Sequence, residues 1–259
     1  MNGHNSSKAI VVKSHDEIMI MLDANQIVAE TLILLQRMIA PGVTTLDLDR
    51  AAEDFCKSKN AVPAFKGYHG FPGSLCTSIN EEVVHGIPSR RRKLKKGDII
   101  SLDFGVRYKG YYGDSAITVP VGKITRNEED LLKATEESLE LAIEKAVVGN
   151  RVADISIAVQ GYVEKLGFSV VRQFVGHGIG TALHEGPEIP NFHQGDQSPR
   201  LVPGMVIAIE PMVNIGTSKV KVLRDGWTVV TADGKPSAHF EHSVAVTENG
   251  PIVLSRRHA

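Results

Sequence analysis

The sequence contains few cysteines and few aromatic residues. Its 259 residues include two cysteines, Cys56 and Cys76, and a single tryptophan. Two cysteines are too few for the disulfide framework of a small secreted domain. The N-terminal stretch MNGHNSSK also lacks the apolar run that a signal peptide needs. We therefore expect a cytoplasmic protein whose cysteines stay reduced.

The chain also lacks an excess of charge of one sign. It has 29 Lys and Arg residues against 30 Asp and Glu residues, so its formal net charge is -1. A net charge near zero gives no overall attraction to DNA or to a membrane surface, and we expect neither as a partner. The basic segment RRRKLKK, residues 90–96, is a local exception. It is either a solvated loop or a docking site for the ribosome or RNA.

No uninterrupted apolar run is long enough to cross a membrane. Residues 18–35 form the most apolar stretch, and it contains four polar or acidic residues, Asp23, Asn25, Gln26 and Glu30. This pattern predicts an amphipathic helix rather than a transmembrane one. The hydrophobic content of 42% is typical of a globular protein with a sizeable core.

Two capping boxes predict where helices begin. Ser14 with Glu17, and Thr125 with Glu128, have the spacing in which a hydroxyl and a carboxylate satisfy each other's backbone amides. Apolar periodicity and glycine stops then predict helices over residues 14–39, 46–59, 125–148 and 152–167. Runs of β-formers predict strands at about 75–84, 98–107, 112–120, 169–175, 205–213, 220–223, 227–231 and 238–247.

The two predicted helix pairs are related by one offset in the sequence. The pairs Gly42 and Gly149, Asp47 and Asp154, Phe55 and Tyr162, Gly97 and Gly204, and Asp103 and Glu210 are all 107 positions apart. A duplicated helix–helix–strand unit explains this pattern. We therefore expect an α+β fold with a pseudo-twofold arrangement around a mostly antiparallel sheet. One domain, residues 1–259, would contain repeats of about 14–120 and 121–250, with the site at their junction.

Five residues of metal-ligand type lie in stretches rich in glycine or β-formers: Asp103, Asp114, His177, Glu210 and Glu241. In a hairpin with a tight turn near residues 108–110, Asp114 would lie opposite Asp103 or one diagonal step away, roughly 5–8 Å between Cβ atoms. Two carboxylates that close repel each other unless a positive charge lies between them. The glycines beside His177 would let the backbone approach a ligand closely.

Four carboxylates with one imidazole are too rich in oxygen for a structural zinc site, and they suit a pair of divalent cations. Such a pair lowers the pKa of a water molecule and polarises a carbonyl group. The sequence has no GxSxG motif, and neither cysteine lies in a nucleophile motif. The residues therefore favour metal-assisted hydrolysis over catalysis by a protein nucleophile.

Several stretches, in order and over nearly the whole chain, resemble those of bacterial type I methionine aminopeptidases. They are PAFKGYHGFPGSLCTSINEEVVHGIP (63–88), GDIISLDFG (97–105), GYYGDSA (110–116), FVGHGIGTALHEGP (174–187), IEPMV (209–213), DGWTVVT (225–231) and HFEHSVAVTENG (239–250). The resemblance implies the pita-bread fold. It also implies removal of the initiator methionine from nascent chains, with preference for a small second residue, as a metal-activated water attacks the scissile carbonyl.

The resemblance also implies a role for each site residue. Asp103 would bind one metal bidentately, Asp114 and Glu241 would bridge both metals, and His177 and Glu210 would complete the second site. Glu210 would also move the proton, and His85 and His184 would contact the scissile amide. The methionine pocket would be formed by Tyr68, Phe71, Cys76, Trp227 and Phe65, with Leu183 and Met212 as further candidates. Four histidines have no assigned role: His69, His193, His239 and His242.

The identity of the metal is open among Mn, Fe(II), Co and Zn, with oxygen-rich ligands favouring Mn or Fe(II). We expect a monomer that acts on nascent polypeptide N-termini, with a transient ribosome contact as one possibility. Two other hypotheses remain. The same fold and metals could serve a proline-specific aminopeptidase or dipeptidase, or the fold could belong to a non-enzymatic peptide-binding protein.

Overall fold

Four α-helices lie among fifteen strands in the computed structural model, which describes residues 10–195 and 197–257. The helices are α1 (His15–Met38), α2 (Thr45–Ser58), α3 (Arg126–Ile143) and α4 (Val152–Lys165), and a short 3-10 helix covers Tyr68–Gly70. Capping boxes begin α1 at Ser14 and α3 at Thr125, as the sequence predicts. Thr44 begins α2 in the same way, with the Asp47 carboxylate as its partner.

Helix α3 ends five residues earlier than predicted, at Ile143 instead of Val148. The amide of Ala146 donates to the carbonyl of Ile143 at 2.9 Å, which closes a turn tighter than the α-helix. The side-chain amide of Asn150 then donates to the carbonyl of Lys145 at 3.0 Å. Because these two bonds satisfy carbonyls at the helix end, the chain leaves the helix before the two valines.

The strands form one large sheet and two small ones. They are β1 (Val62–Pro63), β2 (Cys76–Ile79), β3 (Glu82–Val84), β4 (Ile99–Tyr108), β5 (Tyr111–Pro120), β6 (Ser169–Val170), β7 (Gly176–Gly178), β8 (Glu185–Ile189), β9 (Val206–Ile209), β10 (Met212–Asn214), β11 (Val220–Val222), β12 (Val229–Thr231), β13 (Ser237–His239), β14 (Glu241–Thr247) and β15 (Gly250–Val253). The large sheet has the order β1-β4-β5-β14-β9-β7-β8, with β2 beside β4 and β15 beside β14. The small sheets are β13-β10-β6 and β11-β12-β3, and the strand ladders are antiparallel.

Four of the predicted strands are interrupted or shortened by more than two residues. The strand predicted over 75–84 divides into β2 and β3 at Asn80, whose φ angle is 54°. The strand predicted over 205–213 divides into β9 and β10 at Pro211, which has no amide hydrogen for a ladder. The strand predicted over 238–247 divides into β13 and β14 at Phe240, whose amide donates to the Pro211 carbonyl at 3.3 Å. The strand predicted over 169–175 is limited to β6. At Pro211 the chain passes from the large sheet to a small one, and at Phe240 it passes from a small sheet to the large one.

Strands β4 and β5 form a hairpin whose register is set by a two-residue turn. Tyr108 pairs with Tyr111 across Lys109 and Gly110, which have φ angles of 47° and 90°. Two consecutive positive φ angles define the type I′ turn that matches the twist of a hairpin. In this register Asp103 pairs with Ala116 and Gly105 pairs with Asp114. Asp114 therefore lies one diagonal step from Asp103, the second of the two predicted positions.

The main core lies between the helices and one face of the large sheet. Ile100, Leu102 and Phe104, which alternate with Ser101 and Asp103 along β4, are fully buried with Leu32 of α1. Within the described residues one helix, α1, meets the length and hydropathy of a membrane span, but half of that stretch is buried inside the fold. This burial agrees with the predicted amphipathic helix.

Backbone contacts repeat at the offset seen in the sequence. In the first half, the Gly42 amide donates to the Leu94 carbonyl and the Thr45 amide donates to the Arg92 carbonyl. In the second half, the Gly149 amide donates to the Leu201 carbonyl and the Val152 amide donates to the Pro199 carbonyl. Isolated β-bridges also match at this offset, Thr44 with Lys93 and Arg151 with Arg200. These contacts support our proposal of one domain with repeats of about 14–120 and 121–250.

Candidate metal centre

Three neighbouring strands place two predicted ligands in one row across the large sheet. Ala116 of β5 pairs with Asp103 on one side and with Glu241 of β14 on the other. Directly paired residues of a sheet project to the same face, so both carboxylates flank the alanine methyl group. Asp114 lies two residues before Ala116 on the same face. The short alanine side chain leaves the space between the carboxylates open.

A second row brings the histidine to the same region. Ala208 of β9 pairs with His177 of β7 and with Ser243 of β14. Glu210 follows β9 directly, and its Oε1 atom lies 3.7 Å from His177 Nε2. The ligand-type atoms of Asp114, His177 and Glu241 lie within 4.8 Å of one another, and all three residues are buried. The structure thus brings all five predicted ligand residues to adjacent strands of one sheet.

Three carboxylates of this centre each have one buried oxygen atom without a partner. Asp103 Oδ1, Asp114 Oδ1 and Glu241 Oε1 are buried oxygen atoms that have no hydrogen bond to any described residue. Unpaired buried carboxylates are costly, and buried polar atoms in folded proteins normally have partners. A divalent cation would supply the missing partner, and oxygen-rich ligands with one imidazole are suited to it. The residues present therefore fit a metal centre.

The same burial changes the protonation of the carboxyl groups when no cation is bound. Burial raises the pKa of Asp103 to about 7. Burial, together with the Asp103 carboxylate, raises the pKa of Asp114 well above its usual range. The pKa values of Glu210 and Glu241 are also raised well above their usual range, first by burial and then by the neighbouring acids. A positive charge beside these groups would therefore favour their ionised form.

The glycines beside His177 allow two strand backbones to approach it. A Cβ atom on Gly176 would lie 2.3 Å from the Ala208 carbonyl oxygen, and one on Gly178 would lie 2.0 Å from the Gly186 carbonyl oxygen. Side chains at either position would therefore separate β7 from β9 or β8. The close approach in the structure is to neighbouring backbone, and the predicted approach to a ligand stays a prediction. His177 Nδ1 also lies 2.9 Å from the carbonyl oxygen of Gly178, which orients the ring.

His184 lies directly beside the predicted ligands. Its ring centroid is 4.3 Å from that of His177, and its Nδ1 atom is 2.7 Å from the Tyr68 hydroxyl. Both histidines line a cavity of about 820 Å³ that extends along β8 to the start of α4. A peptide held at His184 would therefore have room along this side of the centre.

His85 and His239 lie on the other side of the centre. Burial lowers the pKa of His85 to about 4, and its ring centroid is 6.3 Å from that of Trp227. His239 Nε2 lies 3.8 Å from Glu210 Oε2 and is buried. Burial lowers the pKa of His239 to about 3, so the ring is neutral. The sequence interpretation left His239 without a role, although its spacing of two residues from Glu241 was a usable signal.

The predicted methionine-pocket residues share a satellite apolar cluster, and one further candidate lies elsewhere. The cluster contains Phe65, Phe71, Cys76 and Leu183, with Tyr68 and Trp227 packed against it. Cys76 pairs with Asp103 across β2 and β4, so the cluster borders the carboxylates. Met212 instead packs with Val83, Val84, Val171 and Val229, because the chain turns into a small sheet after Pro211. Met212 is therefore not part of this pocket.

Cys76 is a packing residue and not a nucleophile. Burial and the nearby carboxylates raise the pKa of its thiol well above the usual range. The thiolate is the reactive form of cysteine, and this environment suppresses it. Cys76 is therefore poorly suited to act as a nucleophile, and the absence of a protein nucleophile stays a prediction.

Comparison with known proteins assigns the chain to a family. The model of metallopeptidase family M24 matches residues 19–248. A methionine aminopeptidase from Clostridium acetobutylicum is 54% identical over 246 residues, which cover 95% of this chain and 98% of the relative. The crystal structure of a methionine aminopeptidase from Thermotoga maritima is 43% identical, with a TM-score of 0.94, and the match covers 96% of this chain and 100% of that one.

A more distant structure shares the fold alone. The prolidase from Pyrococcus horikoshii is 22% identical with a TM-score of 0.78, and the match covers 96% of this chain and 64% of the prolidase. The pita-bread α+β fold predicted from the sequence is confirmed by these structures. The chain belongs to metallopeptidase family M24.

Proposed function

We propose that the chain is a metal-dependent aminopeptidase that removes the N-terminal methionine from nascent polypeptides with a small second residue. The observation that carries the proposal is the cluster of buried carboxylates without partners, Asp103, Asp114 and Glu241, beside His177. The names of the relatives, which match nearly the full chain, supply the substrate.

Two divalent ions would be held by the five residues of the centre: Asp103, Asp114, His177, Glu210 and Glu241. The resemblance implies that Asp114 and Glu241 would be shared by both ions, and their strands, β5 and β14, lie between those of Asp103 and His177. When bound, the ions lower the pKa of a water molecule and polarise the scissile carbonyl. The oxygen-rich ligands favour Mn or Fe(II), with Co and Zn as further candidates.

The remaining site residues move the proton and orient the peptide. Glu210, buried beside His177 and His239, would hold on its carboxylate the proton that the attacking water loses. The hydroxyl of Tyr68 would donate to His184 Nδ1, which leaves the ring hydrogen on Nε2. His184 could then donate to the oxygen of the scissile carbonyl as negative charge develops there. His85, uncharged at neutral pH, would contact the amide from the other side.

The methionine side chain would occupy the apolar cluster next to Asp103. The rings of Phe71 and Trp227 meet edge to face, with centroids 5.2 Å apart. A Cβ atom on Gly105 would lie 2.8 Å from the Phe65 ring, so glycine at this position makes room for the pocket wall. An unbranched thioether packs well against aromatic edges, which suits methionine.

The test is to remove metal and restore it with Mn, Fe(II) or Co, and then to compare Met-Ala-Ser with an Xaa-Pro peptide. We expect release of methionine only from the first peptide and only with metal. Activity limited to Xaa-Pro would instead assign a proline-specific peptidase, and inactivity with every metal would favour a peptide-binding protein.

The ligand assignment has its own test. Asp103→Asn and Glu241→Gln should each lower methionine release by at least about 100-fold, since even residues that only orient ligands cost 10- to 100-fold when replaced. Circular dichroism should show an unchanged fold. Asp54→Asn at an exposed position of α2 is the control and should keep full activity. Full activity in either ligand variant would refute the assignment.

The proposal includes a monomeric, cytoplasmic enzyme that contacts the ribosome transiently through the basic segment, residues 90–96. Five of the basic side chains in this segment, Arg90, Arg91, Lys93, Lys95 and Lys96, are exposed. Arg92 differs, because it pairs with Glu82 at 2.5 Å and is less exposed. Co-sedimentation with ribosomes should weaken when the five exposed residues are changed to serine, and light scattering should give one chain per particle.

A further inference from the structure

A buried ion pair lies behind the loop that carries His184. Lys13 Nζ is 2.5 Å from Glu185 Oε2, and the two side chains are 2% and 6% exposed. The same ammonium group donates to the Val11 carbonyl oxygen at 2.8 Å. Removing two charges from water is costly, so a buried pair is not explained by stability alone. The contacts of the pair indicate which part of the molecule it orders.

The buried Glu185 carboxylate accepts hydrogen bonds from the loop of residues 179–184. Its Oε1 atom accepts a hydrogen bond from the Ala182 amide at 3.1 Å and one from the Thr181 hydroxyl at 3.4 Å. This loop joins β7 to β8 and ends at His184, next to Glu185 in sequence. One carboxylate therefore binds the loop with one oxygen and Lys13 with the other.

The loop packs directly onto the ion pair. A Cβ atom on Gly180 would lie 2.4 Å from Lys13 Cε and 2.6 Å from Glu185 Oε1. On its other side, the Gly180 carbonyl oxygen accepts from the Tyr112 amide at 2.8 Å. The loop is thus confined between the start of β5 and the ion pair, with no space for a side chain at residue 180.

Lys13 is itself fixed by backbone contacts. Its amide donates to the Gly204 carbonyl oxygen at 2.8 Å, and Ile10 forms a parallel bridge with Gly186. Residues 10–13 therefore lie between β8 and the turn before β9. The position of the ammonium group is set by the sheet that also carries the metal-ligand residues.

We propose that the Lys13–Glu185 ion pair positions His184 for its contact with the scissile peptide bond. Lys13 and Glu185 are positioning residues, since their charged groups contact each other and the backbone of the loop. Lys13 neutralises Glu185, Glu185 holds the 179–184 loop, and the loop sets the ring of His184 against Tyr68 and His177. The inference rests on the proposed function, because it assigns His184 a role in that reaction.

The test compares Lys13→Met in two backgrounds, the unmodified enzyme and His184→Ala. In the first, we expect kcat on Met-Ala-Ser to fall by about 10- to 100-fold, since small displacements of a reacting geometry have effects of this size. KM should change by less than about threefold, because the apolar pocket is intact. In the His184→Ala background, Lys13→Met should change kcat by less than about twofold, because the residue it positions is gone.

Two further variants keep the test decisive. Lys13→Gln removes the charge but keeps a hydrogen-bond donor, and it replaces Lys13→Met if that variant does not fold. Val163→Ala on α4, a buried position distant in sequence and in a different cluster, controls for a general loss of stability and should keep kcat. Equal fold-changes from Lys13→Met in both backgrounds, or an unchanged kcat, would overturn the proposal.

Hydrogen exchange separates this inference from the proposed function. In metal-free protein, Lys13→Met should speed exchange of the Ala182 amide by at least about 10-fold more than it speeds exchange of the amides of α3, which report global unfolding. This holds whether or not the unmodified enzyme releases methionine. An inactive unmodified enzyme would therefore refute the proposed function, whereas unchanged exchange at Ala182 would refute the ion pair's control of the loop.

Discussion

Asp103 lies in a position where its ionised carboxylate destabilises the metal-free protein. Its carboxylate lies diagonally from Asp114 and in one row with Glu241, and one of its oxygen atoms is buried without a partner. In metal-free protein this arrangement favours the protonated form, because burial raises the pKa to about 7. The folded state therefore binds a proton that the unfolded chain, with a pKa of about 3.9, has already lost.

A pH-dependent stability follows for metal-free protein. Because the folded-state pKa of Asp103 is raised, its contribution to the free energy of unfolding decreases as pH rises from about 4 to about 7. Asp103→Asn removes this contribution. The variant should therefore gain stability relative to the unmodified protein across that window, by at most about 1.4 kcal/mol per pH unit. Urea unfolding at several pH values measures the difference.

Subtracting the free energy of unfolding of the unmodified protein from that of Asp103→Asn removes the opposing effect of the buried histidines. The pKa values of His85 and His239 are lowered to about 4 and about 3, so these groups favour unfolding as pH falls below about 6.5. That effect is common to both proteins. Asp54→Asn, at an exposed site, should show no such trend. A stability difference for Asp103→Asn that does not change with pH would contradict the raised pKa.

Individual site residues were predictable where their neighbours were distinctive. Ile100 and Leu102 alternate with Ser101 and Asp103 in the sequence, and this pattern alone is enough to place Asp103 on the face opposite the core that Ile100 and Leu102 form. His239 was missed because a lone histidine in a strand is more often structural. Its spacing of two residues from Glu241 was a signal that it shares a face with the ligands, but its nearness to Glu210 depends on the break at Pro211.

At the scale of elements, the helix starts depend on single side-chain oxygen atoms. The Thr125 hydroxyl accepts from the Glu128 amide at 3.3 Å, and the Glu128 carboxylate accepts from the Thr125 amide at 2.8 Å. Thr125→Ala should lower the free energy of unfolding by about 1 kcal/mol, the usual cost of losing an N-cap. Thr125→Ser keeps the oxygen and should lose much less. Equal losses in denaturant titrations would exclude the cap as the cause.

The ion pair joins two segments that are far apart in sequence. Lys13→Met leaves the Glu185 carboxylate buried without its cation and should cost about 3–5 kcal/mol of unfolding free energy. Adding Glu185→Gln removes the unpaired charge, and the amide oxygen can still accept from Ala182. The double variant should therefore be more stable than Lys13→Met alone. A double variant that is less stable would contradict the electrostatic cause.

Helices and strands differed in how well they could be predicted. Capping boxes are local signals, and they located the starts of α1 and α3 at Ser14 and Thr125. The end of α3 depended on a bond from the side chain of Asn150, which is outside the helix. The strand breaks at Pro211 and Phe240 were missed because the apolar pattern continues across them while the chain changes sheets.

At the scale of the whole molecule, the metal centre joins strands from both halves of the chain. A ligand that binds the folded state alone stabilises it by about 2.7 kcal/mol at a hundredfold excess over Kd. Added Mn should therefore raise the Tm of metal-free protein in a concentration-dependent way. Glu241→Gln should abolish most of the increase. An equal increase in the variant would place the bound ion elsewhere.

The overall architecture was easier to predict than its local details. One offset of 107 positions, visible in pairs such as Gly42 and Gly149, indicated two equivalent halves, and matched backbone bonds occur at that offset in the structure. When two repeats share one sheet, strands from both repeats lie side by side where the repeats meet. The metal ligands carried by those strands could therefore be expected at this junction. The assignment of Met212 failed because it required knowing which sheet the chain enters after Pro211.

The two alanines of the central rows offer a means of classifying related proteins. Ala116 lies between Asp103 and Glu241, and Ala208 lies between His177 and Ser243. A leucine or phenylalanine at either position would fill the space that the ligand side chains face, yet it would leave every backbone pairing of the sheet possible. A homologue with bulky residues here could therefore keep the fold while having given up hydrolysis. We expect bulky residues at these two positions to mark relatives that bind peptides without hydrolysing them.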